Sequence, residues 1–206
     1  MEFRVEDAIQ WFTKVNDKIQ ENKEYLTSLD QVIGDSDHGI NMARGFQEVM
    51  SKLSAQEYEE VADVLKDVAM TLISKVGGAS GPLFGTAFLK FSQAVKGINP
   101  VEYPSFTNGL EEALQGVMQR GKATLGEKTM IDVWSPVADA FQSADNFEEN
   151  PFVEVAKRAT ENTKDIIATK GRAAYFKEKS IGHIDPGAAS TYIIFEALAE
   201  VIKGRK

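Results

Sequence analysis

The stretch Leu29-Asp30-Gln31-Val32-Ile33-Gly34-Asp35-Ser36-Asp37-His38-Gly39-Ile40-Asn41 carries three carboxylates within eight residues and no lysine or arginine beside them. Crowded acids repel one another, so such a cluster is most stable around a cation. Ligands that are all oxygen suit a hard divalent ion, Mg2+ or Ca2+, better than zinc. An EF-hand starting at Asp35 would need glycine at its sixth position and glutamate at its twelfth, where Ile40 and Phe46 stand. A phosphatase-type Asp-x-Asp nucleophile needs a buried strand before it, which residues 24–29 do not supply. Helix capping by Asp37, with Asp35 capping a turn, explains one carboxylate well and three poorly. The acids are therefore read as metal ligands.

Residues 77–86, Gly-Gly-Ala-Ser-Gly-Pro-Leu-Phe-Gly-Thr, form a glycine-rich turn entering a helix. A helix start leaves backbone N–H groups unpaired and aimed outward, and the helix dipole makes that end positive. This is a phosphate cradle in principle, though not a Walker A loop, because no Gly-Lys-Ser/Thr follows. A plain helix-to-helix turn with Ser80 as N-cap is the other reading of the same residues. Weaker signals lie further on. Met130 is a soft apolar side chain able to face a base, and Thr129 beside it fits a helix N-cap. Arg172 has the fork to hold a phosphate, against the ordinary reading of a surface arginine. His38 is a proton carrier or a phosphate or sugar contact; His183 and Asp185 order the last loop and cap the last helix.

Composition narrows the classes. The net charge is −8, with no basic run before Lys203-Gly204-Arg205-Lys206. That speaks against nucleic acid or an anionic membrane as partner. No cysteine is present, which removes disulfides, thiolate catalysis and cysteine-ligated zinc. The first residues lack an apolar signal core and no 18-residue apolar run occurs. A single cytoplasmic domain over 1–206 is expected.

Positioning these groups falls to helices. Val5, Ala8, Ile9, Phe12, Val15 and Ile19 keep a three-to-four spacing, which predicts a helix over about 4–27. Further helices are expected over about 38–53, 57–75, 80–95, 105–120 and 130–143. A seventh opens at Asn150-Pro151, with Val153, Ala156, Ala159, Thr163 and Ile167 on one face. Residues 171–184 read as irregular, with a turn of helix over 173–177. The eighth helix opens at Asp185-Pro186-Gly187, aspartate as N-cap and proline first. No segment alternates with a period of two, so the fold class is all-α, an up-and-down antiparallel bundle of eight helices. In such a bundle the loops after helices one, three, five and seven share one end, and those loops hold nearly all the Gly, Asp and Ser chemistry.

Four stretches together resemble one family: residues 34–46 (Gly-Asp-Ser-Asp-His-Gly-Ile-Asn-Met-Ala-Arg-Gly-Phe), 77–86, 126–134 (Gly-Glu-Lys-Thr-Met-Ile-Asp-Val-Trp) and 171–190. In order and over nearly the whole chain they are similar to the nucleotide-binding L subunits of bacterial dihydroxyacetone kinases driven by the phosphoenolpyruvate-dependent phosphotransferase system. The resemblance implies an eight-helix antiparallel barrel with ADP or ATP and two Mg2+ at one end. It implies Asp30, Asp35 and Asp37 as magnesium ligands; His38, Gly39, Ile40 and Asn41 at the nucleotide; and Ala79 and Ser80 at its phosphates. Gly121 and Met130 would lie near base or ribose, and Arg172 with Asp185, Pro186 and Gly187 would complete the pocket. Ser36 stands where the family usually has Gly or Ala, and Glu127 where Asp is common. The implied partners are a K subunit holding dihydroxyacetone and a phosphoryl-donor M subunit; a regulator protein stays open as a further one. The implied nucleotide is a fixed cofactor, recharged in place. Two rivals stand beside this: a chain taking ATP from solution, as fused kinases of the superfamily do, and a nucleotide-sensing module without chemistry. The length of 206 residues favours the subunit form.

Overall fold

The computed structural model describes residues 2–147 and 150–204; Met1 and the Arg205-Lys206 end of the basic tail lie outside them. Helix α1, Val5–Glu21, buries Ala8, Trp11, Phe12, Val15 and Ile19. It stops at Asn22, whose backbone N–H and side-chain amide both donate to the Lys18 carbonyl. The chain then resumes as α2, Lys23–Ile33, with Leu26, Asp30 and Ile33 buried. The helix expected over about 4–27 is thus two helices, and Asp30 is helical rather than part of a loop. The apolar stripe of α1 runs out at Asn22-Lys23, and a second stripe (Leu26, Leu29, Ile33) starts on a new face.

The remaining helices are α3 (His38–Leu53), α4 (Val61–Lys75), α5 (Ser80–Ala94), α6 (Tyr103–Gly121), α7 (Ile131–Ser143), α8 (Phe152–Asn162) and α9 (Pro186–Lys203). Helix α6 begins at Tyr103, ahead of the expected start at about 105, and takes in Pro104; a first-turn proline gives up only an N–H that has no helical partner. The seventh expected helix ends at Asn162, so Ile167 does not share its face. Beyond it the Thr163 and Ile166 carbonyls accept from the Lys128 ammonium, which caps the end instead of a further helical turn. Two 3-10 segments, Thr163–Asp165 and Arg172–Ser180, cross from α8 to α9.

Neighbours close a ring: α1 packs on α3, α3 on α4, and so on through α8 and α9, and α9 returns to α1; α2 lies outside, against α3 and α9. The bundle is all-α, as expected. Phe3 and Val101 form an isolated antiparallel bridge, with N–H···O distances of 2.8 and 2.9 Å.

Aromatic rings fill the ring's interior. Phe88 meets Trp11, Phe12 and Trp134 edge-on, at centroid distances of 5.8, 5.0 and 6.3 Å. Phe106 packs on Phe3, Phe91, Phe141 and Phe147. Truncating one such ring to alanine costs about 3–5 kcal/mol. That packing makes the bundle a rigid base for the loops at its end.

Candidate functional site

Asp30 projects from the last turn of α2 and is 6 % exposed. Its Oδ2 accepts the backbone N–H of Asp37 at 2.9 Å and of His38 at 3.1 Å, folding the 34–37 turn over it. Glycine at 34 makes room for this, because a Cβ there would lie 1.9 Å from Asp30 Oδ1. One carboxylate oxygen from each of Asp30, Asp35 and Asp37 lies within 4.8 Å of the others. Asp37 occupies the N-cap position of α3 without a side-chain capping bond. Capping therefore does not account for it. The acids are not wholly unpaired, however: the fold brings Arg172 to Asp35, Nη2 to Oδ2 at 2.7 Å. Sequence proximity could not show that pairing.

His38 opens α3 beneath this cluster. Its Nδ1 lies 3.1 Å from Ser80 Oγ and its Nε2 2.8 Å from Ser190 Oγ, joining α3, α5 and α9. Burial lowers its pKa, against the pull of Asp30 and Asp37, and both ring nitrogens are engaged by hydroxyls. Ser80 is the first residue of α5, with Ala79 at the N-cap position. Its hydroxyl serves His38 instead of capping.

A cavity of about 210 Å³ opens between these groups. Asp30, Asp35, Asp37, His38 and Asn41 form one side; Gly77 to Ser80 form another; Met130, Arg172 and Asp185 to Gly187 close it. An adjoining, mostly apolar cavity of about 300 Å³ is lined by Pro82, Leu83, Val117, Ala123 and Ile131 together with Gly121 and Met130. Gly39 and Ile40 line neither cavity. A Cβ on Gly39 would sit 2.2 Å from the Lys23 carbonyl, so that glycine lets α3 approach α2. The starts of α3, α5, α7 and α9 all face this end, as alternation of the loops predicted. Each turns the positive end of a helix dipole toward it, but the first N–H groups of α7 are taken by Thr129 and Met130 and those of α9 by Asp185.

The last wall is buried and charged. Asp185 caps α9 by accepting the Ala188 N–H at 2.8 Å; burial raises its carboxyl to about 7, opposed by that bond and by Lys128. Asp132, 5 % exposed, accepts the N–H groups of Gly126 at 2.6 Å and Thr129 at 2.7 Å. Thr129 Oγ1 in turn accepts the Ile131 N–H at 3.1 Å, but the N-cap position of α7 is held by Met130, not by Thr129 as expected. The sequence reading singled out neither Asp132 nor Lys128. Asp132 carries the signal of a Thr-x-x-Asp capping pattern; Lys128 carries none.

An oxygen-only triad facing several helix starts fits a divalent cation bound with an anion, and the apolar chamber fits a flat heterocycle. The DAK2 domain family is matched over residues 32–200. The chain is 47% identical, over 94% of both chains, to the protein of Listeria innocua named PEP-dependent dihydroxyacetone kinase 1, ADP-binding subunit DhaL. It is 42% identical to the protein of Escherichia coli named PEP-dependent dihydroxyacetone kinase, ADP-binding subunit DhaL, covering 95% of this chain and 96% of the other. It also superposes on the dihydroxyacetone kinase of C. freundii solved in complex with AMP-PNP and Mg2+. The TM-score there is 0.70 at 25% identity, over 94% of this chain and 33% of that one. This chain spans about a third of that kinase. Matched along nearly its full length, with the acidic turn and the glycine-rich helix start meeting at one cavity, the chain belongs to the DAK2 domain family.

Proposed function

We propose that the chain is the nucleotide-holding subunit of a phosphoenolpyruvate-dependent dihydroxyacetone kinase. The observation that carries the reading is the convergence of the Asp30–Asp35–Asp37 triad with the N-termini of α3 and α5 across one cavity. The names of the relatives support the nucleotide and the donor system. Asp30, Asp35 and Asp37 would hold two Mg2+. His38, Gly39, Ile40 and Asn41 at the start of α3 would contact the nucleotide, Ala79 and Ser80 at the start of α5 would meet its phosphates, and Arg172 would add its fork. Gly121 and Met130 would border base or ribose in the apolar chamber, with Asp185, Pro186 and Gly187 as the floor.

Bound there, Mg-ADP supplies the phosphoryl acceptor and, once charged, the donor. The chain's own residues position it and offset its charge, which is most of what phosphoryl transfer asks of a protein. Dihydroxyacetone would be held by a separate K subunit and the phosphoryl group would arrive from an M subunit, all in the cytoplasm.

The test is analysis of the supernatant after denaturing extensively dialysed protein. About one ADP or ATP per chain is expected for a fixed cofactor; none retained, with only transient ATP binding, would favour an ATP-dependent kinase or a sensor. Asp30→Ala should abolish sugar phosphorylation in the reconstituted three-subunit system, and unchanged turnover would sink the magnesium assignment.

A further inference from the structure

Lys128 is 1 % exposed, among the largest fully buried side chains of the molecule. The nucleotide reading gives it no task. Its Nζ donates to three main-chain carbonyls: Thr163 at 2.5 Å, His183 at 2.6 Å and Ile166 at 3.2 Å. Three acceptors use the full donor capacity of an ammonium, whereas a neutral amine would fall one short. Burial pushes the Lys128 pKa down while Asp185, Asp132 and Asp165 push it back up. The backbone at Lys128 stands at φ 61°, a left-handed conformation that glycine adopts freely and lysine does not. A lysine here works against both its hydration and its backbone.

What it gathers is specific. Thr163 and Ile166 begin the crossing from α8, and His183 lies at the crossing's other end, two residues before the Asp185 cap. The Thr169 N–H donates to the Glu127 carbonyl at 3.3 Å, a second tie from the same crossing to the same loop. Lys128 therefore holds both ends of the 163–185 crossing on the loop that carries Met130. Met130 and Gly187 both line the cavity beside this junction, and a Cβ on Gly187 would lie 3.7 Å from the Met130 backbone nitrogen.

We propose that Lys128 is a positioning residue for the nucleotide: its buried ammonium sets the distance between Met130 and the Asp185–Gly187 floor. The inference rests on the nucleotide reading above. Lys128→Gly is the informative variant, because glycine fits the left-handed backbone while removing the ammonium. With the carbonyls orphaned, the dissociation constant for Mg-ADP should rise about tenfold or more. Amides over 163–185 should exchange faster with solvent. n-Butylammonium, which replaces the missing side chain, should restore affinity in the variant; tetramethylammonium, with the same charge and no N–H, should not.

A lysine that only stabilises the fold would lower the melting temperature and leave the Mg-ADP affinity of the folded protein unchanged. Wild-type affinity in Lys128→Gly overturns the proposal, as does a loss that butylammonium leaves unrestored with exchange at 163–185 unaltered. Should Lys128→Gly not fold, Lys128→Gln keeps two N–H donors and should bind Mg-ADP several-fold more weakly; equal affinity there overturns it too. Wild-type protein that takes no Mg-ADP removes the functional reading and this inference with it. Loss confined to the variant is the outcome that the inference alone requires.

Discussion

Ser36 sits between two carboxylates of the triad with its backbone at φ 67°. A left-handed conformation costs an L-residue roughly 1–2 kcal/mol, which glycine avoids at some expense in unfolded-state entropy. Ser36→Gly should therefore stabilise the protein by about 0.5–1 kcal/mol in urea melts, and leave the triad's backbone in place. Only the dihedral shows that the backbone at Ser36 favours glycine. Asp185 supports a prediction about pH. Its carboxyl is raised to about 7 from an ordinary 3.8, so the folded state binds that proton more tightly than the unfolded one. The stability this confers is complete below about pH 4 and is lost as pH climbs through about 7. Asp185→Asn keeps an acceptor for the Ala188 N–H and removes the titration. In thermal melts the variant should gain on the wild type between pH 4 and 7, by at most about 1.4 kcal/mol per pH unit. Residue types showed which groups had the chemistry. They did not show the Asp35–Arg172 pair or the Lys128 junction, because those partners meet across more than thirty residues of chain.

Helix α5 carries the glycine-rich start, and its position depends on how closely it lies on α4. A Cβ at Gly85 would come 2.4 Å from Ile73 Cγ1 and 2.8 Å from the Ala69 carbonyl. At Gly81 it would come 2.3 Å from the Val76 carbonyl. Gly85→Ala must push the two helices apart, a cost of about 1–3 kcal/mol for overpacking. Because Ala79 and Ser80 ride on that helix, the variant should also bind Mg-ADP more weakly. Urea unfolding and a nucleotide titration read the two effects separately. From sequence, Gly81 looks like part of a turn, since nothing in a single chain says which neighbour needs the space. Helix interiors were legible through their apolar spacing. The break at Asn22 and the end of α8 at Asn162 were not, because a change of apolar face and a carbonyl cap from Lys128 decided them.

At the scale of the whole molecule, mostly short connections make neighbouring helices run antiparallel, and with the long 163–185 crossing returning to the same end this gathers the four chemical loops there. This much follows from the order of elements, so the site's location was legible before its geometry was. Closure of the ring, α9 against α1, was implied only by the family resemblance. Among the described residues no helix is long and apolar enough to cross a membrane. The closed ring also encloses both tryptophans of the chain. Trp11 and Trp134 have no exposed surface, and their indole N–H groups donate to the Ile194 and Leu110 carbonyls. Neither lines either cavity of the candidate site. All indole emission thus comes from a dry aromatic interior shared through Phe88. The native spectrum should be blue, shift red on unfolding, and stay still when Mg-ADP is added. Intrinsic fluorescence in this protein is a gauge of integrity that is blind to occupancy, so one cuvette distinguishes a variant that has lost its ligand from one that has lost its fold.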